Sequence, residues 1–240
     1  MVNPAINFII SLLHSALKVP TIRLIIITSS LVTLMPWEWL FKPDDRVWTA
    51  NNLNINPSRS VSSPTETYWV SKALTCAAMK DFVEQQKPHF ETVQLLPGVI
   101  IGRDERATTV AELHRDMPQC SLRMAPILGE TQRNAMASAP VDVEDVARAH
   151  IDAIKDSVPG NTDYVLTTGP TAEIVWDDMF GFANKYFTEK VGRKGMPLNG
   201  TLPTMKWLVD TTETEKAYDW QFKIFERTMK KMIGQYIKLL

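Results

Sequence analysis

Leu24-Ile25-Ile26-Ile27 is an unbroken apolar run, three of its four residues β-branched, and it closes on Thr28-Ser29-Ser30. A strand with one wet face alternates apolar with polar residues. A run without alternation has both faces covered, as in a parallel sheet flanked by helices. The polar triplet then stands at the carboxyl end of the strand, where open α/β sheets place their ligands. Outward from this run, helices and strands take turns. Ahead of it, Ile6 to Leu17 is strongly apolar, and Asn3-Pro4 offers a capping side chain followed by a first-turn proline. A helix is expected from about Pro4 to Leu17, stopping before Pro20. It is apolar round most of its circumference, so burial on more than one side is expected. Behind the run, a long helix is predicted from about Glu66 to Gln86, then a strand over Glu91 to Leu96 closed by Pro97-Gly98-Val99. This αβαβ order predicts an α/β fold with a parallel sheet of about three strands, near 23–28, 91–96 and 163–167.

Between these elements, Leu31 to Thr67 is irregular. Prolines stand at 36, 43, 57 and 64, and Trp37, Trp39, Phe41 and Trp48 crowd its first half. Loops of this length are usually functional or disordered, and the aromatics favour a packed loop, either a pocket wall or a satellite core cluster. Arg103 to Pro140 has no clear period and reads as an insertion or small cap. Val141-Asp142-Val143 leads into a helix to about Asp156, with Asp142 as N-cap. Tyr164 to Thr167 reads as a short strand, Thr171 to Lys190 as an amphipathic helix, and Phe222 to Leu239 as a last helix, basic on one side.

Composition excludes several classes. Lys and Arg number 26 against 27 acids, a net charge of -1, so no basic field is available for nucleic acid. Cys76 and Cys120 make no disulfide framework, and a reducing, cytoplasmic setting is the default. His14, His89, His114 and His150 fall in no metal-ligand spacing. The apolar stretch at 6–17 has no preceding Lys or Arg, no clean cleavage motif, and is shorter than a membrane span of about 20 residues. No membrane association is expected. Asn199-Gly-Thr201 fits a glycosylation acceptor, without meaning in that setting.

Tyr68-Trp-Val-Ser-Lys72 carries the chemistry. Residues four apart share a helix face, so phenol and ammonium project side by side. A free tyrosine, with a pKa of roughly 10, is a poor acid at neutral pH. A neighbouring cation stabilises the phenolate and brings the hydroxyl towards proton exchange with a substrate oxygen. Alone, the pair fits equally a surface tyrosine beside a solvated lysine.

In order along the chain stand the run ending in Thr28-Ser29-Ser30, then Tyr68-x-x-x-Lys72, the strand ending in Leu96-Pro97-Gly98, and Val141-Asp142-Val143-Glu144-Asp145-Val146-Ala147. This ordered set closely resembles the extended short-chain dehydrogenase/reductases of the NAD-dependent epimerase/dehydratase superfamily. Within that group it is most similar to the dihydroflavonol-reductase and aldehyde/ketone-reductase branch. The similarity runs along nearly the whole chain, including Asp219-Trp220 before the final helix.

The resemblance implies an NAD(P)-dependent reductase of a small carbonyl compound, using NADP or NAD. Tyr68 would be the general acid on the carbonyl oxygen. Lys72 would lower the Tyr68 pKa and hold the nicotinamide ribose, and Ser30 would hold the substrate oxygen, with Ser29 as second candidate. Ser29, Tyr68, Lys72, Pro97, Gly98 and Val99 form the implied cofactor-binding set. The division implied is 1–102 as the later half of a Rossmann-like domain and 103–240 as a substrate or cap region interleaved with the last sheet elements. The family's opening Gly-x-x-Gly-x-x-Gly turn, which receives the pyrophosphate at a helix N-terminus, has no counterpart among the ten glycines. Roughly 75 to 80 family residues, with four strands and three helices, are expected to be without equivalent here. That would leave an apolar sheet edge to be covered by a homodimer or another partner. The alternative is a family member that binds no dinucleotide and serves as a scaffold or as a cofactor-free isomerase or cyclase.

Overall fold

From its first described residue the chain runs through α1 (Val2–Leu17), β1 (Leu24–Thr28), β2 (Val47–Trp48), α2 (Pro64–Gln86), β3 (Glu91–Pro97), β4 (Val99–Ile101), α3 (Val110–Asp116), β5 (Met136–Ala137) and β6 (Pro140–Asp142). There follow α4 (Val143–Asp152), β7 (Thr162–Leu166), α5 (Met179–Phe187), β8 (Thr204–Met205), β9 (Leu208–Val209), α6 (Thr212–Tyr218) and α7 (Phe225–Leu239). The computed structural model describes residues 2–116, 124–193 and 195–240. Two compact units result. The first holds the chain up to Gly98 together with Arg148–Leu166 and Asp210–Trp220; the second holds Val99–Ala147, Thr167–Val209 and Gln221–Leu240.

The first unit is built on a parallel three-stranded sheet in the order β1-β3-β7. Ile27 stands opposite Gln94, and Gln94 opposite Asp163. The three expected runs are therefore the strands, and all pair in parallel. β3 is the central strand, which is why Val93, Leu95 and Leu96 are fully buried. Each such side chain contributes about 1.5–3 kcal/mol of burial. The apolar run of β1 pairs on one side only among the described residues, and Leu24 to Ile27 stay partly exposed.

α1 and α2 pack together, with Ile9, Leu13 and Ala16 meeting Met79, Phe82 and Phe90. Two expectations for α1 are corrected. It begins at least as early as Val2, so Asn3 lies inside it and does not cap it; Pro4 still falls in the first turn, where its missing N–H costs nothing. It is also buried along one stripe and not several, and Phe8 is 71% exposed.

α2 starts two residues ahead of expectation because Ser63 caps it. The Ser63 hydroxyl accepts the Glu66 amide (3.1 Å), and the Glu66 carboxylate reaches back to the Ser62 amide and hydroxyl (2.6 Å each). Pro64 sits at the first helical position, where proline's fixed φ suits it. The irregular loop before α2 resolves as core. Trp39 and Trp48 are buried edge-to-face with ring centres 5.6 Å apart, and the Trp69 indole N–H donates to the Met35 carbonyl at 2.7 Å.

In the second unit β4 pairs in parallel with β6, and β5 with β8. Its core gathers Ile101, Ile127, Trp176, Met179, Phe225, Met229 and Ile233. The stretch after Arg103, read as an insertion or small cap, holds α3, helical residues 124–128 and β5; Cys120 lies outside the described residues. Asp142 caps α4 as expected, its carboxylate accepting the Glu144 amide at 2.8 Å.

The helix expected over Thr171 to Lys190 is corrected to two 3-10 turns, Thr171–Glu173 and Trp176–Asp178, and then α5. Tertiary bonds prevail over helical periodicity here. The Trp176 amide is taken by the Thr204 hydroxyl (2.9 Å) and its indole N–H by the Ala137 carbonyl (3.1 Å). Likewise α7 starts at Phe225 and not Phe222, because the Lys223 amide donates to Asp145 at 2.7 Å and Ile224 is extended.

Candidate active site

The first unit presents the carboxyl end of β1 to one face of α2. Tyr68 and Lys72 stand one turn apart on that helix, as their spacing requires, and the Lys72 ammonium lies 5.9 Å from the centre of the Tyr68 ring. That ammonium donates to the Thr28 carbonyl at 3.3 Å, tying the helix to the last residue of β1. The Thr28 hydroxyl in turn is 2.7 Å from His150 Nε2. Burial pushes the Lys72 pKa below the ordinary lysine value, because a cation loses hydration at the strand end.

Ser29 and Ser30 follow directly and are both buried. The Ser29 amide donates to the Leu95 carbonyl at 2.7 Å, which continues the β1–β3 ladder by one residue. Ser30 caps a 3-10 turn over Leu31–Thr33, its hydroxyl accepting the Val32 amide at 3.4 Å. As a donor, that hydroxyl reaches no acceptor among the described residues, so it is free to bond an incoming oxygen. The Tyr68 side chain is 43% exposed, and its hydroxyl makes no hydrogen bond to Ser30 or Lys72 among the described residues. Lys72 is thus brought to the strand end that carries both serines, while the Tyr68 hydroxyl remains open to a ligand.

At the end of β3, Pro97 is buried and the Gly98 amide donates to the Leu166 carbonyl at 2.9 Å. Val99 opens the second unit, its amide on the Ala139 carbonyl at 2.8 Å.

Beneath the site lies a polar chain invisible to motif reading. Gln94 Nε2 donates both to Cys76 Sγ (3.1 Å) and to Asp163 (2.8 Å), and Lys80 closes on Asp163 at 2.6 Å. Burial, with the Asp163 carboxylate second, pushes the Cys76 thiol up to about 11. Thr28 was read within the polar triplet, but its bond to Lys72 was not, since it uses a backbone carbonyl that every residue has; His150 was unmarked, lying 122 positions from Thr28 in sequence. The only available signal was the four-residue step from Tyr68 through Lys72 and Cys76 to Lys80.

The parallel sheet with α2 packed across it gives the chain a Rossmann-type α/β fold, matching that of solved reductases. Its curated relatives include Ketoreductase CTB6 of Cercospora beticola, 26% identical over 238 residues, and Ketoreductase sphI of Aspergillus fumigatus, 28% identical over 253 residues. Each match covers 98% of this chain; the chain spans 66% of the first relative and 71% of the second. Among solved structures, Gre2 of Candida albicans in complex with NADPH superposes with a TM-score of 0.77 at 19% identity, covering 100% of this chain and 71% of that one. Vestitone reductase from alfalfa gives 0.68 at 22% identity, covering 98% and 70%. No family model matches the chain.

Proposed function

We propose that this chain carries the proton-donating and nicotinamide-facing part of a carbonyl reductase acting on a small ketone or aldehyde with NADPH or NADH. The observation that carries it is the Lys72 ammonium held on the Thr28 carbonyl, one turn from Tyr68 and beside two buried serines. The names of the ketoreductase relatives and of the NADPH-bound neighbour support it.

The residues present fit the nicotinamide end of a dinucleotide. Lys72 is a cation at a strand's carboxyl end, and the turn after Pro97 is glycine, without a side chain to block close approach. When bound, a reduced nicotinamide supplies the hydride. Ser30 donates its free hydroxyl hydrogen to the carbonyl oxygen and fixes it. Tyr68, exposed enough to reach that oxygen, gives up its proton as negative charge builds there. Lys72 faces the phenol ring and stabilises the phenolate left behind. Ser29 is the second candidate for the oxygen.

In a second reading the same residues serve binding, isomerisation or cyclisation without a dinucleotide. Titration of the full chain with NADPH, followed by cofactor fluorescence, separates the two. Saturable binding and oxidation of NADPH in the presence of a ketone panel are expected. Absence of saturable binding would leave the dinucleotide-free reading.

A further inference from the structure

The step of four along α2 does more than place Tyr68 beside Lys72. Lys72 reaches the end of β1, Cys76 meets Gln94 on β3, and Lys80 meets Asp163 on β7. Those partners lie almost level across the sheet, since Ile27, Gln94 and Asp163 are in register and Thr28 is one residue on from Ile27. Four helical residues advance about 6 Å, and neighbouring strands stand about 4.8 Å apart. One polar row of the helix therefore crosses the sheet, touching each strand once.

Most of the other buried residues on α2 are apolar, Trp69, Val70, Ala73, Leu74, Met79 and Phe82, and the buried Glu66 and Ser71 bond back to their own stretch of chain at Ser62 and Tyr68. Apolar contacts resist separation but are not directional, so they tolerate sliding. Hydrogen bonds and a buried carboxylate do not. A slip of one residue would turn the polar row by about 100°, taking Cys76 from Gln94 and Lys80 from Asp163 and leaving a nearly inaccessible carboxylate with no cation against it.

We propose that Gln94 and Asp163 are positioning residues: they lock the register of α2 on the sheet and so keep the Lys72 ammonium on the Thr28 carbonyl. Its catalytic meaning rests on the site proposed above; the geometric statement does not.

The test reads Lys72 directly. In the full chain labelled at lysine ε-carbons, with the Lys72 signal assigned through Lys72→Arg, its titration midpoint is followed in Asp163→Asn and Gln94→Leu. Removing a carboxylate can by itself only lower a lysine midpoint, and Gln94→Leu changes no charge. Loss of register re-solvates the ammonium and raises the midpoint towards the ordinary value of about 10.4. A rise in either variant, with cooperative thermal unfolding retained, is the expected result. A midpoint unchanged or lowered in every folded variant overturns the proposal. If Asp163→Asn does not fold, Gln94→Leu decides alone. The midpoint moves whether or not the chain turns over a ketone, so failure of the catalytic reading and failure of the register lock give different results.

Discussion

Tyr68 has a ring partner and an open hydroxyl, and that combination sets its expected phenotype. Tyr68→Phe keeps the ring against Lys72 and removes the proton. On the proposed function, carbonyl reduction should fall by about 10²–10⁴-fold, with melting temperature unchanged. Steady-state rates and a thermal scan check both halves. Asp152 makes the residue-scale case for pH. Lys155, then Lys155's charge, the Trp220 indole N–H and Arg148 hold its carboxyl below the ordinary carboxylate range. A depressed carboxylate stabilises the fold fully above its unfolded pKa, and the gain disappears as pH falls through the folded value. Asp152→Asn should therefore destabilise by roughly 1–3 kcal/mol at neutral pH, and the difference from the parent should vanish in strong acid. Denaturant titrations at neutral and acid pH test this. The Tyr68–Lys72 pair was legible because helix periodicity alone makes it neighbours. The contacts of Thr28, Gln94 and Asp163 were not, because helix and strand register decide which backbone carbonyl and which cross-strand partner meet.

At the scale of elements, boundaries followed local chemistry where local chemistry was strong. Ser63 and Pro64 start α2, and Ser63→Ala should cost about 1 kcal/mol, measured as a shift in denaturant midpoint at constant slope. The three strands could be read because each carries an apolar run, Leu24 to Ile27, Leu95 to Leu96 and Tyr164 to Leu166, although the run in β1 stays partly exposed. Leu95→Ala on the central strand should destabilise by about 2–5 kcal/mol, checked the same way. Where the reading failed, side chains distant in sequence had taken over backbone groups. Thr204 captures the Trp176 amide and Asp145 captures that of Lys223, and no periodicity encodes either capture.

For the molecule as a whole, the division into two units has a clear basis: each has its own apolar core. In the first, β1 offers a β-branched edge with no strand on its outer side among the described residues, and α1 exposes Phe8 and Leu12. Unpaired apolar edges invite strand addition. The 240-residue chain should therefore self-associate at low micromolar concentration, and sedimentation velocity is the check. A single monomeric boundary with a cooperative thermal transition would show that solvent or repacking protects the edge.

The buried thiol between α2 and β3 gives the first unit a clock of its own. Alkylating reagents attack thiolate, and Cys76 is both inaccessible and held protonated far above neutral pH. Modification must then wait for α2 to lift from the sheet, so the labelling rate, in a chain carrying Cys120→Ser, counts transient openings of the closed state. The helix that would expose Cys76 also carries Tyr68 and Lys72. Whatever ligand holds those two residues to the strand end should slow the arrival of reagent at a sulfur it never touches.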